Sequence, residues 1–592
     1  MGVPQLFPFM RKLFAEMFRN FQGGEGLFEV EHLYLDANPL LHGANQIVHN
    51  YGSVNRKIDP YKDYTPEQKQ TKVFEMFFDS ILFLSKMVVP TKTLYIAIDG
   101  PAPLAKQAQQ RQRRFVAAKT RKDGFDSNSI TPGTLFMFEM TKYIHTAIRK
   151  EANRTASQWS KIDVIFSPPT VAAEGEHKVL SYIREKMSDP VFFGERHCMF
   201  GPDGDLLMLT LAAHLPRIYL IREDIMTPGY YDMIDMGGIR KKLPQELGQN
   251  VGFVKGLRSL DDVSNDFILV GFFVGNDFLP KIQMFLYLRD GLNMMIDIYA
   301  RVSEGGVKNH LTESNKLSEE SSKSSRQART NSKISHTGFT RFIKEVAKDE
   351  NRYIFNQSKI EPPEPMFENK TLLKNIISSG TFKRLDMQSY RTDYYAKAGV
   401  DAVDDQEVRQ ICLDYLKSMA WVFEYYISGL PSWTYFYRWH YAPLLQDVVK
   451  VMESMTDKEM EFVYVFKTKG VPSLPFVQLI SVLPPASAGL LPRPFRPLFE
   501  KDSPLAEYYP TDFEIDYEGK TKEHMGVVLL PFADNAKVLK RYQPIADRLV
   551  NRYVRNSVGR PELFRYDPKY QASYTSDYGD IDTLHVRKTL LD

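Results

Sequence analysis

Cysteine is nearly missing: Cys198 and Cys412 are the two in 592 residues. That excludes a disulfide framework and any zinc site built from several thiolates. Without oxidative staples the expectation is an intracellular, reducing compartment. Nucleus and cytoplasm both stay open, since a run such as Arg240-Lys241-Lys242 is too short to serve as an address. No stretch of 18 or more apolar residues occurs, so no membrane span is expected. The opening MGVPQL has neither a signal peptide's long apolar run nor Ser or Thr at position 6 for myristoylation. Charge of one sign is lacking too. Lys and Arg number 76 against 73 Asp and Glu, so any basic patch that meets nucleic acid must be local. What is abundant is apolar and aromatic matter: 43% hydrophobic residues with 39 Phe and 32 Tyr supply a sizeable core.

The first 300 residues alternate short apolar runs with helical stretches. Strands are expected over 32–35, 94–98, 163–166, 198–200, 217–221 and 267–273, and helices over 72–87, 103–119, 136–151 and 176–187. Such alternation predicts an α/β fold with a mostly parallel central sheet covered by helices on both faces. Residues 302–335 are rich in Ser, Lys, Glu and Asn and hold no Phe, Tyr or Trp, which reads as a disordered surface insertion. It splits the chain into a nuclease region (1–301) and a second α/β-aromatic region (336–592). The latter has an aromatic helix and loop (411–443), then a Pro-rich stretch read as extended (474–510).

Carboxylates fall at the ends of these strands. Asp36 ends LYLD, Asp99 ends YIAID, Asp203 and Asp205 follow CMFGP, and Asp277 ends FILVGFFVGND; Glu174 and Glu176 follow the strand at 163–166. The carboxyl edge of such a sheet is where ligands bind. One Asp after a strand is more often a turn former or helix cap. Seven acids on one rim are another matter, because two carboxylates ~4 Å apart repel by roughly 4 kcal/mol at an effective dielectric of 20. A cation must hold them, and hard oxygen donors without thiolates call for Mg²⁺, with Mn²⁺ as the alternative. Paired ions of this kind, two per site, are the usual apparatus of phosphodiester hydrolysis.

Directly after Asp99 comes a basic stretch with Lys106, Arg111, Arg113, Arg114, Lys119, Arg121 and Lys122 and no acid. Lys106, Gln110 and Arg113 share one helical face, bordered by Arg114, and would suit a terminal phosphate. The crowd Trp433, Tyr435, Phe436, Tyr437, Trp439 and Tyr441 is mostly core material, with one or two rings free to stack on bases. His42 is a further stacking candidate, against the bland reading of a core histidine.

The motifs MGVPQLF, LYLDANPLLH (33–42), AIDGPAPLAKQAQQRQRRF (97–115), AEGEHK (173–178), GPDGDLLML (201–209) and FFVGNDFLP (272–280) resemble the Xrn/Rat family of 5′→3′ exoribonucleases. So do GLPSWTYFYRWHYAP (429–443), LISVLPPASAGLLP (479–492), YYPTDFEIDYEGK (508–520) and GVVLLPF (526–532), and the resemblance spans nearly the whole chain. It implies a PIN/flap-nuclease-like sheet and a processive exonuclease that degrades 5′-monophosphorylated single-stranded RNA to 5′-mononucleotides. On that resemblance the seven acids bind catalytic metals, and Lys106, Gln110, Arg113 and Arg114 hold the 5′-monophosphate. His42 and Trp433 sandwich the first base. Polarity and RNA substrate come from the resemblance alone.

Departures from the pattern are Pro39 and Ala173 where glycine is usual and Gly204 where alanine is common; none removes an acid or a basic ligand. A zinc knuckle and further C-terminal domains are not seen, so a minimal catalytic core is expected. The rival readings are a flap-type endonuclease, which would release oligonucleotides, and a catalytically silent RNA-binding scaffold.

Overall fold

The computed structural model describes residues 6–54, 57–120, 124–248, 259–285, 288–303, 310–314, 332–549 and 553–591. Nine strands make the main sheet: β1 (Phe18–Gln22), β2 (Phe28–Asp36), β3 (Val88–Ala97), β4 (Asp163–Ser167), β5 (His197–Phe200), β6 (Ile218–Glu223), β7 (Tyr230–Asp235), β8 (Glu562–Tyr566) and β9 (Val586–Leu590). Their spatial order is 1-7-6-5-2-3-4-8-9. The inner five, 6-5-2-3-4, run parallel, while both edges are antiparallel. The chain steps outward from β2 through β3 to β4, then returns to β5 on the other side of β2. The switch of direction therefore lies between β2 and β5, where an open α/β sheet opens its crevice.

Alternation along the strands sets the two faces. Leu33, Leu35, Leu94, Ile96, Val164, Phe166, Cys198 and Phe200 enter one buried layer. Tyr34, Tyr95, Ala97, Ile165 and Met199 enter the other. A register slip of one residue would exchange these sets, so burial on both sides pins the register. It aligns the carboxyl ends, with Leu35 opposite both Ile96 and Phe200, and Ala97 opposite Ser167.

The helices that carry the site are α1 (Asn38–His49), α2 (Pro66–Met87), α3 (Leu104–Thr120), α4 (Leu135–Asn153), α5 (Gly175–Lys186), α6 (Leu206–Ala212), α7 (Leu260–Gly271), α8 (Asp405–Ile427) and α9 (Pro475–Val482). Pro39 falls in the first turn of α1, where its missing N–H is not needed. The start of α2 is marked by a capping box between Thr65 and Gln68.

Three expectations need correction. Residues 267–273 are not a strand: α7 spans Leu260–Gly271 and runs into a 3-10 turn, Phe272–Val274. A capping box of Ser259 and Asp262 starts it, and every residue from Val263 to Gly271 is buried. A helix buried on all sides need not show a clear amphipathic stripe, and the apolar run Phe267–Val270 at its end reads like a buried strand. The 474–510 stretch is likewise helical rather than extended, holding α9 and the 3-10 turns Pro485–Leu490, Arg493–Phe499 and Ala506–Tyr508. Proline tolerates the first turn of a helix, and three of these four elements begin with one there.

In the third case, the segment 302–335 is ordered at its ends: Thr312–Ser314 pairs with Ser332–Ile334, and Leu311 is fully buried. Thr312 donates to Asp266 at 2.6 Å. Residues 304–309 and 315–331 lie outside the described residues. The chain's late strands β8 and β9 extend the first region's sheet beside β4. No described helix is long and apolar enough to cross a membrane.

Candidate active site

Asp36 is the last residue of β2 and is buried at the sheet's switch point. Asp99 lies two residues past β3; its Oδ1 accepts the Gly175 N–H at 2.8 Å and its Oδ2 the Asn38 amide at 3.0 Å. The head of α5 presses so close that a Cβ on Gly175 would stand 2.7 Å from Asp36 Oδ1. Any side chain there would have to displace the Asp36 carboxylate. Asp36, Asp99 and Glu176 each offer an oxygen within 4.8 Å of the others, and Glu174, Glu176 and His177 form a second such group. Either group could hold a metal ion.

Electrostatics ties the remaining acids in. Burial, reinforced by Asp99, Asp203 and Asp205, pushes the Asp36 carboxyl well up. Burial with Glu174 and Asp36 does the same to Glu176. Asp205 rises to about 7 through burial and the charges of Asp277 and Asp203. Two of the oxygens, Asp36 Oδ1 and Asp205 Oδ1, are buried without a hydrogen-bond partner. Such groups are unfavourable unless a cation meets them.

Lys106 is the cation that the chain itself brings. From the first turns of α3 its ammonium reaches Glu174 at 2.5 Å and Asp277 at 2.8 Å. Burial alone would lower its pKa, but Asp277, Glu174, Glu176 and Asp205 outweigh that and hold it well up. Asp277 arrives from the turn after the Phe272–Val274 helix, not from a strand end, and this lysine draws it into the cluster. Burial opposes ionisation of Asp277, yet Lys106 and Arg113 keep its pKa low.

The basic run divides by role. Arg113 is exposed. Arg114 donates to Thr131 Oγ1 at 2.9 and 3.2 Å, and burial beside Arg113 lowers it to about 10. His42 on α1 is pushed down to about 4 by burial and then by Arg113 and Arg114, which puts the neutral imidazole beside both arginines. Gln110 is buried and accepts from the Gln478 amide at 3.4 Å. Arg111 instead turns away to the carbonyls of Ser481, Pro531 and Tyr508, and Lys119 pairs with Asp512. Both tie α3 to the second region. Arg121, Lys122 and residues 1–5 of the MGVPQLF motif lie outside the described residues.

Trp433 is half-buried, and its carbonyl accepts the N–H of Leu104, the first residue of α3. That bond fixes the tryptophan's backbone two residues from Lys106. Tyr435 and Trp439 are committed elsewhere: the Tyr435 hydroxyl meets Ser418 and the Asp414 carbonyl, and the Trp439 indole donates to Asp414.

Residue patterns missed the contribution of α8. The Tyr425 hydroxyl donates to Glu174 at 3.0 Å, and its ring stacks on His177 with centroids 3.6 Å apart and planes 9° from parallel. Tyr426 donates to Asp205 at 3.4 Å. Lys178 was also missed. Buried behind the acids, it donates to the carbonyls of Ile98 at 2.5 Å and Pro168 at 3.1 Å, and burial lowers it to about 7 against the pull of Asp99 and Asp36. His177 and Lys178 stand inside AEGEHK and could have been flagged there. Nothing local singles out two tyrosines at the end of an aromatic helix.

Comparison with known proteins follows the same lines. A family model described as the XRN 5′-3′ exonuclease N-terminus matches residues 1–224. One described as the Xrn1 helical domain matches residues 258–375 and 307–580. The 5′-3′ exoribonuclease 1 of Schizosaccharomyces pombe is 28% identical over 99% of this chain and 52% of its own length. That of Homo sapiens is 29% identical over 91% of this chain and 34% of its own. The 5′-3′ exoribonuclease 2 of Arabidopsis thaliana is 28% identical over 90% of this chain and 64% of its own. The chain thus spans about half or less of the length of the first two relatives.

Proposed function

The chain belongs to the XRN 5′-3′ exonuclease family, and on that premise we propose that it is a processive 5′→3′ exoribonuclease. Its substrate is single-stranded RNA with a 5′-monophosphate and its product the nucleoside 5′-monophosphate. One observation carries this reading: Lys106 joins the buried acid cluster at Glu174 and Asp277, while Arg113 and Arg114 stand beside His42 on the neighbouring surface. A phosphate-holding group beside a hydrolytic cluster would measure substrate from its end.

The donor set fits divalent cations. Asp36, Asp99, Glu174, Glu176, Asp203, Asp205 and Asp277 offer hard oxygens, two of them buried and unpartnered. These residues would hold Mg²⁺ or Mn²⁺, two ions in all, which supply the Lewis acidity for water attack and leaving-oxygen stabilisation. Lys106, Gln110, Arg113 and Arg114 bind the terminal phosphate, the arginines offering paired donors. His42, neutral because its folded pKa is near 4, stacks on the first base, with Trp433 on its other side. Tyr425 and Tyr426 orient Glu174 and Asp205. The second region (336–592) contributes these rings and closes the site, so RNA enters by its end.

The test uses end-labelled RNAs carrying 5′-phosphate, 5′-triphosphate or 5′-hydroxyl, with and without Mg²⁺, resolved by product size. The 5′-phosphate RNA should yield mononucleotides, with Mg²⁺ required. Asp203→Ala with Asp205→Ala should abolish decay and retain RNA binding. Release of oligonucleotides would favour a flap-type endonuclease, and equal rates on triphosphate RNA would sink the terminal-phosphate pocket.

A further inference from the structure

Strands β3 and β4 stay paired as far as Ala97 and Ser167, and the Ile98 N–H adds one bond to the Ser167 carbonyl at 3.1 Å. There the two chains part. Ile98 leads into Asp99, and Pro168 opens the loop that ends at Glu174. Both acids belong to the rim, so the fork sets how they stand to each other. One side chain spans it. Lys178, on α5 one turn past Glu174, donates to the carbonyls of Ile98 at 2.5 Å and Pro168 at 3.1 Å. An amine has the two N–H groups this needs in either protonation state. Backbone bonds close the same joint: the Gly175 N–H donates to Asp99 Oδ1 at 2.8 Å, and the Lys178 N–H to the Glu174 carbonyl at 3.0 Å. Lys178 thus ties together the strand before Asp99, the loop before Glu174 and the helix that carries Glu176.

Packing alone does not account for a lysine at this place. It is 4% exposed, and a methionine of about the same length would fill the space without burying an amine. Direct ion pairing does not account for it either, since Lys106 is the cation that meets Glu174 and Asp277. What the lysine does, and a methionine could not, is hold two backbone carbonyls of acid-bearing segments at one point. Mg²⁺ makes such a joint matter. It demands near-ideal octahedral geometry at about 2.0–2.1 Å, whereas Ca²⁺ accepts longer and looser coordination. Hydrogen bonds behind a metal's ligands are typically worth about 10–100-fold in affinity.

We propose that Lys178 is a positioning residue: by bridging the Ile98 and Pro168 carbonyls it holds Asp99 and Glu174 at the spacing Mg²⁺ requires, and so favours Mg²⁺ over Ca²⁺. It acts through the backbone of the segments that carry the acids, not as a ligand. The proposal rests on the metal site of the exonuclease reading.

The test is calorimetric titration of the full chain with Mg²⁺ and with Ca²⁺, alongside its melting curve. Lys178→Met should weaken Mg²⁺ binding about tenfold or more and Ca²⁺ binding much less, so that the ratio of the two affinities falls. Lys178→Gln, which keeps an N–H donor without the charge, should fall between, and it is the variant to read if the methionine form does not fold. The sign is diagnostic. Removing a positive charge beside the acids would by itself tighten both ions, so tighter binding of both would make the lysine a counter-charge and overturn the proposal. A lower melting temperature with an unchanged Mg²⁺-to-Ca²⁺ ratio would overturn it too, leaving a structural tie. Binding of neither ion by the parent chain would sink the metal site and this proposal together, whereas Mg²⁺ binding that is indifferent to Lys178 would sink the proposal alone.

Discussion

Ala173 sits at φ +108° immediately before Glu174, a backbone conformation that L-residues adopt only under strain. Two hydrogen bonds of 2.9 Å hold it there, Gly100 N–H to the Ala173 carbonyl and Ala173 N–H to the Pro101 carbonyl. Gly100 packs tightly against the same loop, where a Cβ would overlap the Val171 carbonyl at 1.6 Å. Strain of this kind costs about 1–3 kcal/mol. Ala173→Gly removes it and gives back about 0.5–1 kcal/mol through the looser unfolded chain. The half-buried methyl forfeits part of the ~0.8 kcal/mol of a fully buried carbon. The balance is a stabilisation of about 1 kcal/mol, read as a higher urea midpoint at unchanged slope and a Tm raised by a degree or two. Ala173→Val, with a branched side chain at the same φ, should be destabilised instead. A glycine variant that melts at or below the parent temperature would refute the strain argument. The alanine would then be accommodated at no cost, and the usual glycine of related motifs would need another reason.

Two further outcomes follow from the geometry. Tyr425→Phe removes the hydroxyl that orients Glu174 while leaving the ring stacked on His177; the Mg²⁺ concentration for half-maximal RNA decay should rise about tenfold, and an unchanged Mg²⁺ titration would show that the tyrosine is mere packing. Glu350 is fully buried, accepts the N–H groups of Leu445 (2.6 Å) and Gln446 (2.9 Å), and is raised by burial to about 7. Between pH 4.5 and 7 the unfolded chain has lost this proton and the folded one keeps it, so stability falls as pH rises through that window, by at most about 3 kcal/mol. Glu350→Gln should flatten that part of the urea-midpoint profile, and a profile that keeps its slope would place the titration elsewhere.

The parallel sheet was legible because its strands are short apolar runs ended by acids, and five of six expected strands appear within a few residues of their expected places. The sixth failed for a physical reason. In α7 every turn from Val263 onward is buried, so the apolar run at its end lacks a clear amphipathic stripe, the signal that separates helix from strand. The polar segment after residue 302 misled in the opposite sense: its ends are held by pairings to distant residues, such as Thr312 to Asp266, which composition does not record. The joining of β8 to β4 is a contact of the same kind, nearly 400 positions apart in the chain.

The acid cluster could be anticipated because every member but Asp277 follows a strand or opens a helix, and strand register then decides who meets whom. Charge identity does the rest, since like charges on one rim demand a cation. The failure at α7 did not displace Asp277, because an ion pair to Lys106 rather than strand geometry brings it in. What a sequence pattern could not supply is the approach of α8 to that rim. Tyr425 and Tyr426 differ from the other tyrosines of this chain in nothing local; they matter because Arg184 of α5 donates to the Tyr426 carbonyl at 2.7 Å and seats the end of α8 on the helix that starts at Glu174. Arg184 pairs with no acid among the described residues, and burial lowers it to about 10. The same helix thus presents its acids at one end and, two turns on, anchors the element that orients them. Misplacing that anchor would loosen Glu174 without touching any acid, so part of the site's precision resides in a contact between the two regions.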